Sequence, residues 1–525
     1  MLRSAVSLVA AALVLGGCTK LGPDFVRPEA PVADDWIEFE DPKVEEKPDE
    51  KIFREWWTVF GDPVLNELVQ AAYRQNLDLQ IAGIRILESR AQLGIAVGSL
   101  YPQSQTVGAD ATANQTSENA PGSLGKDFFY DYGVGFDAAW ELDFWGRFRR
   151  GVEAADSELF ASIADYDNLL VSLTSEVARV YVVIRTFEER IQIARQNIKI
   201  QERSLRIANV RFQNGIVTEL DVTQALSLLR NTQASIPRLQ TGLRQAQNAL
   251  STLLGMPPSN LKEMLGGPGA IPKPPVDVAV GIPAELLRRR PDIRRAELQA
   301  ASQSARIGIA ETDLYPKFTL FGSIGLQSSD KSATGGTFSD LFDSDSLTYS
   351  FGPGVQWAIF NYGRLKNNVR VQDARFQGLI VNYQNTVLRA AQEVEDGLVG
   401  FLRSQEEVKL RADSVAATQR SVDLSLIQYR DGVVDYQRVL DSQERLVGEQ
   451  DLLTNNRGDV SLNLIATYKA LGGGWQIREG KDFVPAQTRE EMAKRTDWGK
   501  LLKPAALDVP TPEEASDELF PRPDW

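Results

Sequence analysis

The chain of 525 residues contains no histidine and a single cysteine, Cys18. Histidine-dependent triads, histidine-ligated metals and disulfide frameworks are therefore excluded by inventory, and most familiar enzyme chemistry goes with them. No cofactor is expected. A basic stripe is missing too: 57 Lys and Arg are interleaved with 71 Asp and Glu, leaving a net charge of -14. That balance argues against nucleic acid as a partner and for a solvated exterior. With 43% hydrophobic residues the chain has material for several domain-sized cores, so composition alone leaves the architecture open.

The N-terminus, MLRSAVSLVAAALVLGGC, reads as a signal peptide over residues 1–17, with Arg3 as its charge and residues 5–15 as its apolar stretch. That stretch is too short to span a bilayer. Leu15-Gly16-Gly17-Cys18 resembles a bacterial lipobox, in which cleavage leaves the cysteine first and acylated. Several acyl chains on one residue anchor stably, because each buried methylene contributes about 0.8 kcal/mol. The alternative is an ordinary secretory signal followed by a chance cysteine, which leaves a free thiol in an exported protein. Thr19, rather than an aspartate, follows Cys18, so outer-membrane delivery is expected by the rule of such motifs.

Beyond this leader the sequence is written twice. GIAVGSLYPQ (94–103) returns as GIAETDLYPK (308–317), WELDFWGR (140–147) as WAIFNYGR (357–364), and RFQNGIV (211–217) as QYRDGVV (428–434). Between the second and third landmarks a 3-4 spacing runs almost unbroken through Leu159, Ile163, Tyr166, Leu170, Leu173, Val177, Val180, Ile184 and on to Phe212. This 3.5-residue period is the coiled-coil signature. The equivalent register in the second half passes through Tyr383, Val387, Val394, Phe401, Val422 and Tyr429, and is more polar. The spacing predicts long helices over 146–213 and 363–430, each about 100 Å at 1.5 Å per residue. Shorter amphipathic stretches flank them over 63–100, 218–254, 283–314 and 435–471. Pro237 predicts a kink or break in the second of these.

Four segments alternate apolar and polar with period two, placed over 104–140 and 318–360. Tyr130, Tyr132, Val134, Phe136 and Trp140 oppose Asp131, Gly133, Gly135 and Asp137; Leu347, Tyr349, Phe351, Val355 and Trp357 repeat the pattern. Each has the length of a tilted transmembrane strand, with Tyr101, Trp140, Tyr315 and Trp357 near strand ends. Pro353 predicts a bulge or early termination. Four strands leave two open edges, and unpaired backbone groups in hydrocarbon cost several kcal/mol each, so the sheet must close on further copies around an axis. A rod-like coiled coil beside an unrelated β-domain is the plainer alternative.

LGPDF (21–25), WWTVFGDPVLNELVQAAYRQNLDLQIA (56–82), LLRRRPDIRRAE (286–297) and LGGGW (471–475) together resemble the outer-membrane factor family, the TolC-like efflux lipoproteins. The resemblance covers the chain except its tail after residue 485. It implies an α+β membrane protein: a homotrimer with a twelve-stranded β-barrel, four strands per chain, continued by a long α-helical periplasmic tunnel. The repeats then occupy 63–254 and 283–471, after a lipidated segment at 18–62. A belt takes 255–282 and the residues after 472, ending in an acidic tail. It implies an exit duct of a tripartite pump, catalysing nothing, that works with a periplasmic adaptor and an inner-membrane transporter of the resistance-nodulation-division class and sits in outer-membrane lipid. A protein-secretion duct and a non-porous structural lipoprotein are the competing readings.

The long helices end at Asn214-Gly215 and Asp431-Gly432, where glycine permits the left-handed geometry that reverses the chain. The resemblance makes these turns the periplasmic tip and gives Gly215, Ile216, Val217, Gly432, Val433 and Val434 as adaptor contacts. It also places Tyr429 and Asp221 at a latch, a tyrosine hydroxyl bonding an aspartate, and Asp441 at a constriction ring. Crowded carboxylates there would raise their own pKa, attract cations and repel anions. The family's latch arginine is replaced by Val434, while Arg438 stands in place of another aspartate and could neutralise Asp441 three residues on. On sequence alone each of these charges also fits a solvated helix face.

Overall fold

The computed structural model describes residues 19–45, 53–117, 128–279, 289–331 and 335–503. The signal peptide, Cys18 and the end of the acidic tail lie outside the described residues. The internal repeat is explicit in the elements. Two helices of 67 residues, α3 (Arg147–Gln213) and α6 (Arg364–Arg430), are each followed by a helix of 35, α4 (Glu219–Leu253) and α7 (Tyr436–Ala470). Each half also has a preceding helix of 22 residues, α2 (Leu77–Gly98) and α5 (Pro291–Thr312).

The stretch from residue 63 is not one helix. Asp62 caps α1 (Pro63–Gln75) by accepting from the Val64 and Leu65 amides, with proline at the first position where a missing N–H costs nothing. Asn76 then ends α1 and starts α2: its Oδ1 accepts from the Leu79 amide at 2.9 Å, and its Nδ2 donates to the carbonyl of Leu253, at the end of α4, at 3.0 Å. One side chain thus serves two helix ends. Asn76→Ala is expected to cost about 1–2 kcal/mol, read as a lower thermal midpoint of the purified protein in detergent. Conversely, α4 continues through Pro237, so the expected break does not occur. Packing of Leu239 with Ile191 and Ala194 of α3 spans the site of the lost hydrogen bond.

Strands β2 (Ser104–Gln115), β3 (Phe128–Glu141), β5 (Lys317–Ser329) and β6 (Leu347–Gln356) form one antiparallel sheet in the order β2-β3-β5-β6. Pairing of β5 with β6 runs without a bulge through Leu320 and Pro353. β6 is the outer strand of the sheet within one chain, where a proline is tolerated, and it ends at Gln356, short of residue 360. A separate parallel pair joins β1 (Val44–Glu45) to β4 (Val278–Ala279).

The main core surrounds the middle of α3. Trp56, Trp57 and Tyr468 pack there, with Trp56 stacked on Tyr468 at 5.6 Å. Residues flanking the two repeats wrap this level. Arg185 of α3 donates to the carbonyls of Leu265 and Gly267, both at 2.6 Å, and Arg478 makes a bidentate pair with Asp167, both fully buried. Helix α8 (Ala486–Arg495) continues the wrap: Met492 is buried, and Trp498 and Leu502 pack on the core. The first part of the tail therefore packs on the main core.

Residues 19–45 form a strap along the molecule. The Leu21 amide donates to the Trp145 carbonyl, and Arg150, 1% exposed, donates to the carbonyls of Leu21 and Gly22 at 2.9 and 2.8 Å. Gly308 makes room for it, since a Cβ there would sit 2.6 Å from the Leu21 carbonyl oxygen. Farther on, Arg27 pairs with Glu297, and Val44 reaches Val278.

Candidate functional site: a two-faced sheet and a helical tip

The register sorts the sheet into two chemically distinct faces. Val107, Phe136, Ile324 and Tyr349 lie in one cross-strand row, all exposed, whereas the neighbouring row is Thr106, Asp137, Ser323 and Ser350. The rows beyond continue this alternation for the most part, with Gln105 on the apolar side and Phe321 on the polar side as exceptions; such alternation is the arrangement a strand needs between lipid and water. Among the described residues no helix is long and apolar enough to cross a membrane. Indole groups fasten the sheet to the helices in both repeats: Trp140 Nε1 donates to Leu100 O at 3.2 Å and Trp357 Nε1 to Leu314 O at 3.0 Å.

At the opposite end, α3 and α6 close with the same cap. Gly215 (φ +70°) donates to Phe212 O and Ile216 to Arg211 O; Gly432 (φ +79°) donates to Tyr429 O and Val433 to Gln428 O. These bonds satisfy orphan helix carbonyls and require the left-handed glycine. The two valines that follow differ from their neighbours. Ile216 and Val433 are exposed, at 62% and 72%, while Val217 and Val434 tuck against a small core of Ala208, Ala225, Tyr429, Tyr436 and Val439.

Tyr429, 1% exposed, donates its hydroxyl to Asp221 Oδ2 at 2.9 Å and meets Tyr436 edge-on at 5.3 Å. Burial first, and then the bond to the Asp221 carboxylate, push the Tyr429 hydroxyl well above the ordinary tyrosine range. Asp441 is exposed and accepts from Gln437 Nε2 at 2.7 Å, one turn back on α7. It does not pair with Arg438, which is also exposed, with its backbone amide facing Asp435. Among the described residues the Asp441 carboxylate thus bonds a neutral amide one turn back rather than the Arg438 guanidinium three residues away.

Two features of this end escape a reading of the sequence. Arg211 lies with its guanidinium carbon 4.5 Å from the centre of the Tyr429 ring. It sits inside the RFQNGIV landmark, yet its counterpart in the second half is Gln428, so the repeat gives no signal for it. Above the tip, the contact of α3 with α7 is polar: Asn197 donates to Gln450 at 2.8 Å, and Gln443 donates to Ser204 at 2.6 Å. Gln201, 2% exposed, lies between them with neither amide atom bonded. The facing contact of α3 with α4 is apolar.

The described geometry matches known proteins. The model of the outer membrane efflux protein family matches residues 68–256 and 282–473. The probable efflux pump outer membrane protein TtgC of Pseudomonas putida is 29% identical over 92% of this chain and 98% of its own. The probable outer membrane lipoprotein SilC of Salmonella typhimurium is 31% identical over 88% and 97%. Among solved structures, the outer-membrane channel OprN superposes with a TM-score of 0.80 at 31% identity, covering 87% of this chain and 99% of that one. The chain belongs to the outer membrane efflux protein family, and its fold is that of the family's channels: four strands per chain for a trimeric twelve-stranded β-barrel, continued by a long α-helical tunnel.

Proposed function

We propose that the protein is the exit duct of a tripartite efflux pump, passing small toxic compounds through the outer membrane without catalysing a reaction. The observation that carries this reading is a sheet with one apolar face, one polar face and two unpaired edges, continuous with helices of 67 residues. Copies around an axis remove the edges and turn the polar faces toward a common lumen. Purified trimers in planar bilayers are expected to give discrete openings; a protein that never conducts would sink the duct.

The gate belongs at the tip. Tyr429 and Asp221 tie α6 to α4, and Asp441, one side chain per copy, is the carboxylate free to ring the axis, with Arg438 beside it. Tyr429→Phe is expected to loosen the closed tip, and Asp441→Ala to raise conductance or weaken cation preference. If both conduct as the wild type does, the constriction lies elsewhere. Exposed Ile216 and Val433, carried by Gly215 and Gly432 and braced by Val217 and Val434, offer a periplasmic adaptor its apolar contacts. An inner-membrane transporter of the resistance-nodulation-division class supplies the energy. Site-specific cross-linking from residues 216 and 433 to the adaptor tests the docking.

Lipidation at Cys18 fits the strap. Leu21 is pinned beside Trp145 at the junction of sheet and helix, next to the sheet that enters the membrane. An acyl chain there meets the membrane to which the sheet belongs. Cys18→Ser is expected to abolish palmitate labelling.

A further inference from the structure

We infer that Arg211 is a positioning residue of the tip latch, acting through the Tyr429 ring. This rests on the gate reading above and adds a residue that neither the family resemblance nor the repeat supplies. Tyr429 is held from two sides by opposite charges. Its hydroxyl bonds Asp221 at 2.9 Å, and the Arg211 guanidinium covers its ring at 4.5 Å. A cation on a ring face is attracted by the ring quadrupole.

The partners of Arg211 narrow its role. Its Nε and Nη1 are buried without a hydrogen-bond acceptor, so no carboxylate or carbonyl fixes those donors in place. The ring is the group that compensates their burial. Placement is preset by the backbone, because the Arg211 carbonyl accepts from Ile216 in the helix cap. The other turn passes close by: a Cβ on Gly432 would lie 3.8 Å from Arg211 Nη2.

Arg211 closes the last turn of α3, Tyr429 the last turn of α6, and Asp221 the first turn of α4. One stack therefore binds both hairpins of the chain. The arrangement exists once per chain. The positions that correspond to Tyr429 and Arg211 in the opposite halves are Phe212, which is 42% exposed, and Gln428. A general need of helix turns would have produced it twice. Since the position of the family's latch arginine holds the apolar Val434, the cation reaches the tyrosine from the other hairpin.

The test is a mutant cycle on full-length trimers in planar bilayers, with trimer recovery and thermal midpoint followed in parallel. Arg211→Ala is expected to raise open probability about fivefold, and Arg211→Lys, which keeps charge and reach, to rescue part of the closure. In a Tyr429→Phe background, which retains the ring, Arg211→Ala still adds its effect. In Tyr429→Leu, which removes the ring, it adds nothing. The inference is overturned if Arg211→Ala gates as the wild type does while Tyr429→Phe opens the tip, or if its effect is the same in both backgrounds. Those outcomes leave the duct standing; a wild-type trimer that never conducts removes the duct and this latch together.

Discussion

Asp167→Ala is expected to destabilise the protein by about 3–5 kcal/mol, the loss that follows when one member of a buried ion pair is removed and the other stays behind. Asp167 and Arg478 are 2% and 3% exposed, and Arg478 Nη2 donates to Asp167 Oδ2 at 2.8 Å. The guanidinium also lies near the rings of Trp475 and Phe483, at 5.5 and 5.0 Å. A ring face attracts a guanidinium less strongly than a bidentate carboxylate does, so Arg478 loses its charge-assisted pair when Asp167 is removed. Pairing Asp167→Ala with Arg478→Met should be milder than Asp167→Ala alone, since the orphan charge goes with its partner. Thermal unfolding of the detergent-solubilised protein reads both. If the double variant is as unstable as the sum of the single ones, the two side chains act independently and the pair is not what fixes the segment after α7 to α3.

Adjacent positions on one strand should respond oppositely to the same substitution. Ile324→Arg puts a charge on the apolar face near the middle of β5, where an outer-membrane strand loses about 2–4 kcal/mol at the bilayer midplane. Multiplied over the copies in a ring, this is expected to abolish recovery of trimers from outer-membrane fractions. Ser323→Arg places the same side chain on the polar face, in the row of Thr106, Asp137 and Ser350. That trimer should assemble normally and shift its ion preference toward anions. Equal losses at both positions would mean that the two faces do not separate lipid from water.

The strongly periodic elements were legible in the residues alone. The 3-4 spacing located both long helices because one apolar stripe recurs over many turns, and Leu159, Ile163, Leu170, Val177 and Ile184 of that stripe are all buried. Alternation likewise separated Phe136 from Asp137. Local interruptions were less legible, since tertiary partners decide them: Asn76 breaks a helix that its flanking pattern would continue, while α4 passes through Pro237. Arg478 and Asp167 are 311 positions apart, and no local spacing links such a pair. At the tip, the resemblance named Tyr429 and Asp221, whose side chains meet. Arg211 was missed because its partner sits on the other hairpin, and its own half of the repeat offers no second example.

The amide-lined contact between α3 and α7 bears on which part of the tunnel can change shape. Where Leu239 meets Ile191 and Ala194, separation would expose hydrocarbon to water, a penalty that grows with every square ångström uncovered. Where Asn197 meets Gln450 and Gln443 meets Ser204, entering water replaces each lost bond and gives Gln201 the partners it lacks. The first joint behaves like glue and the second like a wet zipper. At the level of these amides α7 should therefore part from α3 more readily than α4 does, while the apolar tip core of Ala208, Tyr436 and Val439 and the Trp56 layer hold and α3 and α4 travel as one piece.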